Sequence, residues 1–184
     1  MRTHLLDAAL RAFATAGYEG ASVRSIAREA RVSLGLLYHY FPSKEAVLQA
    51  LFERSTRLVG EAFTRAAHAP DPSVRLGTLI LASADLVREH QDFWRVSYGV
   101  RFQHAVVGGL GAGIAAQSTL LHGLFTQLLA EIGRTDPETE ARVLFATLDG
   151  LFQHFILDAA RYPLDAVVAH VIHAHGGRTA PEPS

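Results

Sequence analysis

The chain contains no cysteine, and this absence excludes disulfide bonds and thiolate metal sites. It also lacks any run of 18 or more apolar residues, so no segment has the composition of a membrane-spanning helix. The first four residues lead directly into an amphipathic segment with Asp7, which is unlike the apolar stretch of a signal peptide. We therefore expect a cytoplasmic protein with no membrane partner.

Net charge is almost absent as well. The formal net charge is −1 at pH 7, and Lys44 is the single lysine among 17 basic residues. Residues 1–57 nevertheless carry eight basic and five acidic residues, whereas the remainder carries nine basic and 13 acidic ones. Because phosphate contacts need local rather than global positive charge, this distribution is typical of a small DNA-binding head attached to a separate body.

The sequence motifs of common hydrolases are missing. There is no Gly-x-Ser-x-Gly, no His-Glu-x-x-His and no acid pair at a marked spacing. A glycine-rich run at 108–113 has no predicted strand before it and no Gly-Lys-Ser/Thr after it, so it indicates a flexible connection between helices. We expect no enzymatic activity and no cofactor.

The chain does contain two short predicted helices joined by a tight turn, within residues 22–41. Ser22 is a suitable N-cap for the first helix, whose apolar residues recur at helical spacing. A short turn follows and ends at Ser33, which can cap a second helix that runs to Phe41 and stops before Pro42. This pattern predicts a helix-turn-helix motif, whose second helix typically enters the major groove of DNA.

The flanking sequence extends the pattern. From Leu5 to Leu51 the chain resembles the TetR family of bacterial transcriptional regulators, because the apolar spacing, Gly17, the Tyr38-x-Tyr40-Phe41 run and Ser43-Lys44-Glu45 occur in the family's order. The resemblance implies an all-α fold with an N-terminal three-helix, helix-turn-helix DNA-binding head and a C-terminal helical bundle for ligand binding and dimerisation. It also implies a homodimer that acts as a repressor.

The chain divides into three predicted segments. They are a DNA-binding domain at 1–45, an effector-binding and dimerisation domain at 46–176, and a disordered tail at 177–184. No alternating strand pattern occurs anywhere in the sequence. Outside the motif, the periodicity predicts helices at about 3–16, 43–67, 73–89, 91–107, 113–132, 137–160 and 164–175.

Nine residues are predicted to contact DNA, partly from the resemblance and partly because their side chains can reach phosphates or base edges. They are Ser22, Arg24, Arg31, Ser33, Leu34, Leu36, Tyr38, His39 and Lys44. Three of them depart from the family's usual residues: Arg31 replaces a common turn glycine, and Leu34 and Leu36 replace polar residues. If the turn needs a positive φ, Arg31 carries strain, and the leucines can contact only thymine methyl groups.

A small-molecule site is predicted in the body. Three candidate residues are spaced i, i+4 and i+7 along one helix, where an arginine beside aromatic rings can bind a polar or acidic group. The candidates are Trp94, Tyr98, Arg101 and Phe102 on that helix, and His122, Phe125, Asp149 and His154 on other helices. Such aromatic residues also occur in ordinary cores, but TetR-like bodies generally hold a ligand pocket. We expect a small, largely apolar effector.

The last two predicted helices, 137–160 and 164–175, carry apolar residues on more than one side. They can therefore supply one face to the core of their own chain and another to a second subunit. The resemblance implies dimerisation through these helices. A wholly intramolecular core is the alternative.

Two other functions stay open at this level. Leu34, Leu36 and the near-neutral net charge also fit a helical small-molecule-binding module without a DNA role. His170, His173 and His175 allow a metal-responsive sensor, although their spacing without cysteine or a nearby acid is typical of no common metal site. The preferred hypothesis is a ligand-responsive repressor that a small effector releases from a double-stranded DNA operator.

Overall fold

The computed structural model describes residues 1–66, 68–101 and 104–179, and these residues form nine α helices and no strand. The helices are α1 (Arg2–Gly20), α2 (Val23–Glu29), α3 (Leu34–Tyr40), α4 (Lys44–Ala66), α5 (Pro72–Glu89), α6 (Gln91–Val100), α7 (His104–Ile132), α8 (Pro137–Leu157) and α9 (Leu164–Ala174). The predicted all-α fold is confirmed. Within the described ranges, no helix combines the length and the apolar character needed to cross a bilayer.

Most helix ends lie close to the predicted positions. Gly17, predicted to end the first helix, has φ 71° and ψ 164° and interrupts α1 before its last residues. Glycine adopts a positive φ without a steric penalty, which explains its place at this kink. The helices predicted at 137–160 and 164–175 are slightly shorter and end at Leu157 and Ala174.

The glycine-rich run at 108–113 is not the connection that the sequence predicted, because it lies inside α7. The helix predicted at 91–107 is divided instead: α6 ends at Val100 and α7 begins at His104. A glycine in a helix interior costs about 1 kcal/mol relative to alanine. This cost weakens a helix without excluding it, and the prediction was wrong because it treated low propensity as a break.

Two compact units make up the chain. The head unit comprises residues 1–57 and 90–114, and the body unit comprises residues 58–89 and 115–184. The predicted boundary at residue 45 places all later helices in the body. In the structure, however, α6 packs against α1 and belongs to the head unit.

One buried apolar cluster joins the helices of the head unit. Phe13 of α1, Ile26 of α2 and Leu37 of α3 are nearly or fully inaccessible to solvent within it. From α6, Phe93 enters the same cluster, and its ring lies 5.3 Å from that of Phe52, edge to face. The helix-turn-helix motif therefore rests on a core to which α6 contributes directly.

In the body unit, the residues that follow α9 cross the start of α5. The backbone N–H of Arg178 donates to the carbonyl of Ser73 at 2.9 Å, and its guanidinium pairs with Asp71. Gly177 and Arg178 are thus held against other residues where the sequence predicted a disordered tail, and residues 180–184 lie outside the described residues. The carbonyl of Arg178 lies so close to Gly77 that α5 leaves no room there for a side chain.

Replacing Gly77 by alanine is expected to lower the free energy of unfolding by about 1–3 kcal/mol, the usual range for overpacking. A Cβ at residue 77 would lie 2.8 Å from the carbonyl carbon of Arg178, so the crossing segment must move away. Denaturant unfolding measures the loss, and hydrogen exchange should show reduced protection of the Arg178 amide. Gly123→Ala is the matched control: it meets no atom within 4 Å and should be neutral or stabilising. Equal stability of the two variants would contradict the close approach.

Candidate DNA-binding surface

The first helix of the motif begins at a reciprocal cap. The backbone N–H of Ser25 donates to the hydroxyl oxygen of Ser22 at 3.1 Å, and the N–H of Ser22 donates to the hydroxyl oxygen of Ser25 at 2.9 Å. These two bonds satisfy donors that a helix start otherwise leaves free. Arg24 follows in the first turn of α2 and is exposed. The cap therefore fixes the backbone from which Arg24 projects.

The turn between α2 and α3 has a left-handed residue at its centre. Arg31 has φ 55°, the one positive φ of a non-glycine residue in the described ranges. The strain predicted for a positive φ at this position therefore applies to Arg31. The turn is held by His4, whose Nε2 donates to the carbonyl of Ala30 at 2.8 Å. This bond holds the backbone next to the exposed Arg31.

Replacing Arg31 by glycine is expected to stabilise the protein by about 1 kcal/mol, because the left-handed conformation costs an L-residue roughly 1–2 kcal/mol. The expected rise in melting temperature is about 2–4 °C. Arg28→Gly, which removes the same side chain from an ordinary helical position in α2, should instead lower stability by about 1 kcal/mol. Calorimetry of both variants tests the turn, and a loss of stability in Arg31→Gly would contradict it.

The second helix has one inward side chain and several outward ones. Ser33 caps α3 by accepting the N–H of Leu36 at 3.2 Å, and Leu37 is the buried residue of this helix. On the outside, Tyr38 is 48% exposed and His39 is exposed. Leu34 is half-buried and packs partly against the head core, so its replacement of a polar residue has a structural reason. Leu36 is half-buried and is not part of that core cluster.

Lys44 lies at the start of α4 and contacts the end of α1. Its Nζ donates to the carbonyls of Tyr18 at 3.0 Å and Ala21 at 3.3 Å, and it lies 4.2 Å from the centroid of the Tyr18 ring. An ammonium group has three donors. The bonds to Tyr18 and Ala21 use two of them, so a third N–H of Lys44 is left for a phosphate.

The neighbouring carboxylate completes this junction. The hydroxyl of Tyr18 donates to Oε1 of Glu45 at 3.2 Å. Burial and the charge of Glu45 raise the pKa of Tyr18 above its usual range, so that its hydroxyl keeps its proton. Hydrogen bonds from its own backbone N–H, from Ser43 and from Tyr18 lower the pKa of Glu45. The α1–α4 junction thus places the ammonium group of Lys44 and the carboxylate of Glu45 beside the motif.

The predicted effector residues on α6 lie in the head unit. The rings of Trp94 and Tyr98 have centroids 6.0 Å apart, and Cζ of Arg101 lies 4.8 Å from the centroid of the Tyr98 ring. The three predicted side chains therefore form a continuous row, as their i, i+4, i+7 spacing indicated. Phe102, the fourth candidate of this group, lies outside the described residues.

The other four candidates belong to the body unit and have different surroundings. His122 lies against Phe145 with ring centroids 4.5 Å apart, and Phe125 is 2% exposed in the core. Asp149 accepts a hydrogen bond from Gln153 one turn later, at 2.9 Å. His154 is exposed, and its ring stacks on Tyr162. A common binding site for these four residues stays a prediction.

A cavity that the sequence did not predict lies elsewhere in the body unit. It has a volume of about 130 Å³ and lies between α4, α5 and α7. Its lining residues are Phe63, Arg75, Leu79, Leu124, Gln127, Leu128 and Glu131. The sequence does not indicate this cavity, because Arg75 and Glu131, which line it and pair with each other, are 56 residues apart in the chain.

The helix α8 has an apolar inner face and a second, exposed face. Leu144, Leu148 and Phe155 are buried, whereas Val143 is 53% and Leu157 80% exposed. From residue 143 to the end of the helix, the exposed residues recur at helical spacing and are small or apolar for the most part: Val143, Ala146, Thr147, His154 and Leu157. On α9 the exposed positions include Ala166, Ala169, His170 and His173. We call this set the α8–α9 face.

The C-terminal histidines do not converge on a metal site. In the part of the chain that the structure describes, no group of three or more His, Asp or Glu side chains is placed to hold a metal ion. His170 and His173 are exposed, and burial lowers the pKa of His175.

Comparison with known proteins agrees with this geometry. Residues 5–51 match the family model of bacterial regulatory proteins of the tetR family, and residues 72–175 match the C-terminal part of BetI-type transcriptional repressors. The HTH-type transcriptional regulator BetI of Burkholderia lata is 31% identical over 168 residues, which cover 82% of this chain and 79% of the relative. Its counterpart in Burkholderia mallei is 31% identical over 181 residues, 91% of this chain and 87% of the relative.

The fold is also similar to solved structures. The fatty acid degradation regulator FadR from Bacillus halodurans superposes with a TM-score of 0.84 and 25% identity, over 96% of this chain and 94% of that one. A transcriptional regulator from Rhodococcus sp. RHA1 has a TM-score of 0.82 and 24% identity, over 96% and 94% of the two chains. The similarity therefore extends over nearly the whole molecule.

Proposed function

Because this chain belongs to the TetR family of bacterial regulatory proteins, we propose that it is a cytoplasmic repressor that a small effector releases from its DNA operator. The observation that supports DNA binding most strongly is the outward side of α3. A two-turn helix that buries Leu37 presents Tyr38 and His39 to solvent, next to an exposed arginine in the turn. Polar rings and cations on a short capped helix suit the major groove.

The proposed DNA contacts fall into two groups. Arg24, Arg31 and Lys44 bind phosphates, and the serines of the two caps donate to neighbouring phosphate oxygens. Tyr38 and His39 contact base edges, while Leu34 and Leu36 contact thymine methyl groups. This division predicts that the first group sets affinity and the second sets sequence preference.

The proposed assembly is a homodimer formed through the α8–α9 face. Exposed apolar residues such as Val143 and Leu157 in a regular stripe are typical of a covered interface. A two-fold dimer would present two copies of α3 to half-sites about 34–36 Å apart, or a multiple of that distance. The small residues of the α8–α9 face allow two helices to approach closely.

The proposed effector is small and largely apolar. Trp94, Tyr98, Arg101 and Phe102, with His122, Phe125, Asp149 and His154, stay candidates for contacting it. The packing of α6 against α1 supports a regulatory role for the first group, because a ligand held by the α6 row would act on a helix of the motif's own core. Operator and effector must then weaken each other's binding by the same factor.

Selection of duplexes from a random DNA library, followed by footprinting, tests the proposed function. We expect enrichment of a pseudo-palindrome whose half-site centres are 10–10.5 base pairs, or a multiple, apart. Tyr38→Ala should change the enriched bases, while Arg142→Ala, an exposed arginine on α8, should leave them unchanged. If no sequence is enriched over the starting library, operator recognition is refuted. The helical binding module without a DNA role then becomes the better hypothesis.

A further inference from the structure

The C-terminal end of α9 closes into a turn that directs the chain back across the body unit. His175 is the C-cap of α9, and Gly176 follows it with φ 77°. The N–H of Gly177 donates to the carbonyl of Ile172 at 2.8 Å. The N–H of Gly176 donates to the carbonyl of His173 at 3.1 Å. These two bonds form a Schellman motif, in which a glycine in the left-handed conformation ends a helix.

Residues 175–178 form a strap that this turn places against α5, and we call them the C-terminal strap. The backbone N–H of Arg178 donates to the carbonyl of Ser73 at 2.9 Å, and its guanidinium pairs with Asp71. Its carbonyl carbon lies only 2.8 Å from the place that a Cβ at Gly77 would occupy. The contact of the strap with α5 is therefore close, and it depends on the turn that ends α9.

The ring of His175 is half-buried at the start of the strap. Its Nδ1 is inaccessible to solvent and has no hydrogen-bond partner in the described part of the chain. A neutral imidazole can leave this nitrogen unprotonated, whereas an imidazolium carries an N–H group on both nitrogens. Protonation of the packed ring would therefore bury a charged N–H without an acceptor, which is unfavourable.

The charged groups beside the ring do not offset its burial. Burial has the largest effect and lowers the pKa of His175, while Glu140 of α8 raises this pKa and Arg134 lowers it. Glu140 is already engaged, because its Oε2 lies 2.6 Å from Nε of Arg134. The guanidinium of the strap itself, on Arg178, pairs with Asp71. The net result is a pKa in the folded protein below the ordinary value of 6.5 for histidine.

We propose that His175 makes the C-terminal strap sensitive to pH: its neutral ring keeps the strap on α5, and its protonation releases the strap. An imidazolium reaches solvent by leaving its packed position, and the adjacent turn at Gly176 opens with it. Because the pKa of His175 is lowered by folding, the stabilisation is complete above about pH 6.5 and is lost as the pH falls below that value. This inference is independent of DNA binding and adds an acid-sensitive element to the body unit.

Hydrogen exchange of the full-length protein between about pH 7.5 and about pH 5 tests the proposal, because histidine titrates in this range. The measured quantity is the protection factor of each amide, which corrects for the pH dependence of intrinsic exchange. Protection of the Gly177 and Arg178 amides should fall several-fold at the lower pH. The amide of Leu144, a buried residue inside α8, should keep its protection because the opening is local. Unchanged protection of Arg178, or an equal loss at Leu144, would overturn the proposal.

Two variants that do not titrate assign the effect to His175. His175→Phe keeps an aromatic ring and His175→Gln keeps a polar side chain, and both should make protection of the Arg178 amide independent of pH in this range. His173→Phe is the matched control, because His173 lies two residues earlier and is exposed. It should retain the pH effect of the wild-type protein. A pH effect that survives in either His175 variant, or that disappears in His173→Phe, would overturn the proposal.

Arg134→Gln tests the role of the neighbouring charges. The substitution frees Glu140, which can then pair with a protonated His175, so the pH effect on the strap should become smaller. Arg142→Gln is the control, because it removes an exposed arginine of α8 that pairs with Glu138, and it should leave the effect unchanged. If the pH effect is the same in Arg134→Gln as in the wild-type protein, the titrating group does not lie beside this ion pair and the proposal is overturned.

Discussion

Replacing Leu37 by alanine is expected to lower the stability of the head by about 2.7–5 kcal/mol and to abolish specific DNA binding. Leu37 is fully buried and is the inward anchor of α3, a helix of seven residues. A helix of this length is not stable alone in water, so packing determines whether it forms. Because a whole domain is stable by only about 5–15 kcal/mol, losing this contact removes much of what holds α3 in place.

The measurement combines denaturant unfolding with DNA binding at 25 °C. Leu120→Ala is the matched control, because it deletes the same atoms from a side chain that is 68% exposed on α7. The control should change stability by no more than about 0.5 kcal/mol and leave DNA binding intact. If Leu37→Ala loses the expected amount of stability and still binds DNA tightly, α3 is not the element that recognises DNA.

Replacing Leu157 by arginine is expected to dissociate the proposed dimer and to reduce operator affinity by about 10²–10⁴-fold, the gain that two linked half-site contacts provide. Leu157 is 80% exposed in the single chain and ends the apolar stripe of α8. In a two-fold interface each substitution enters from both subunits, so two new charges would be buried close together. The isolated subunit itself should stay folded.

Sedimentation analysis reports the oligomeric state, and DNA titration reports the affinity. Leu120→Arg is the matched control, since it places the same charge on another exposed leucine outside the α8–α9 face. It should leave the dimer and the operator affinity unchanged. A dimer that persists in Leu157→Arg, or one that dissociates in Leu120→Arg, would mean that the interface lies elsewhere.

The local features of the fold, such as helix caps and the interruption of α1, could be predicted from the sequence. Ser22 and Ser33 act as caps because hydroxyl groups satisfy free backbone N–H groups in any helical context. Gly17 interrupts α1 for an equally local reason, its positive φ. The predicted break at 108–113 failed because helix propensity is weak and the rest of a 29-residue helix overrides it. The packing of α6 on α1 depends on residues far apart in the chain, which periodicity cannot identify.

The candidate site shows the same limit. The exposure of Tyr38 and His39 follows from the spacing of the motif, because a short helix that packs through Leu37 leaves neighbouring side chains in solvent. The two bonds from Lys44 to the carbonyls of Tyr18 and Ala21 were not predictable, because they cross more than 20 residues. The ion pair of Arg75 with Glu131, on a different helix, was likewise not predictable. Sequence therefore indicates which residues face solvent, while tertiary contacts determine what each of them binds.

The salt dependence of DNA affinity tests most directly whether the head binds DNA through the residues assigned to it. In the proposed dimer, Arg24, Arg31 and Lys44 would give six phosphate contacts. The logarithm of affinity should then fall against the logarithm of salt concentration with a slope of about −5. Arg24→Ala removes two contacts and should reduce the magnitude of the slope by about 1.8. A slope near zero for the wild-type protein, or one that Arg24→Ala leaves unchanged, would contradict this account of the DNA-binding surface.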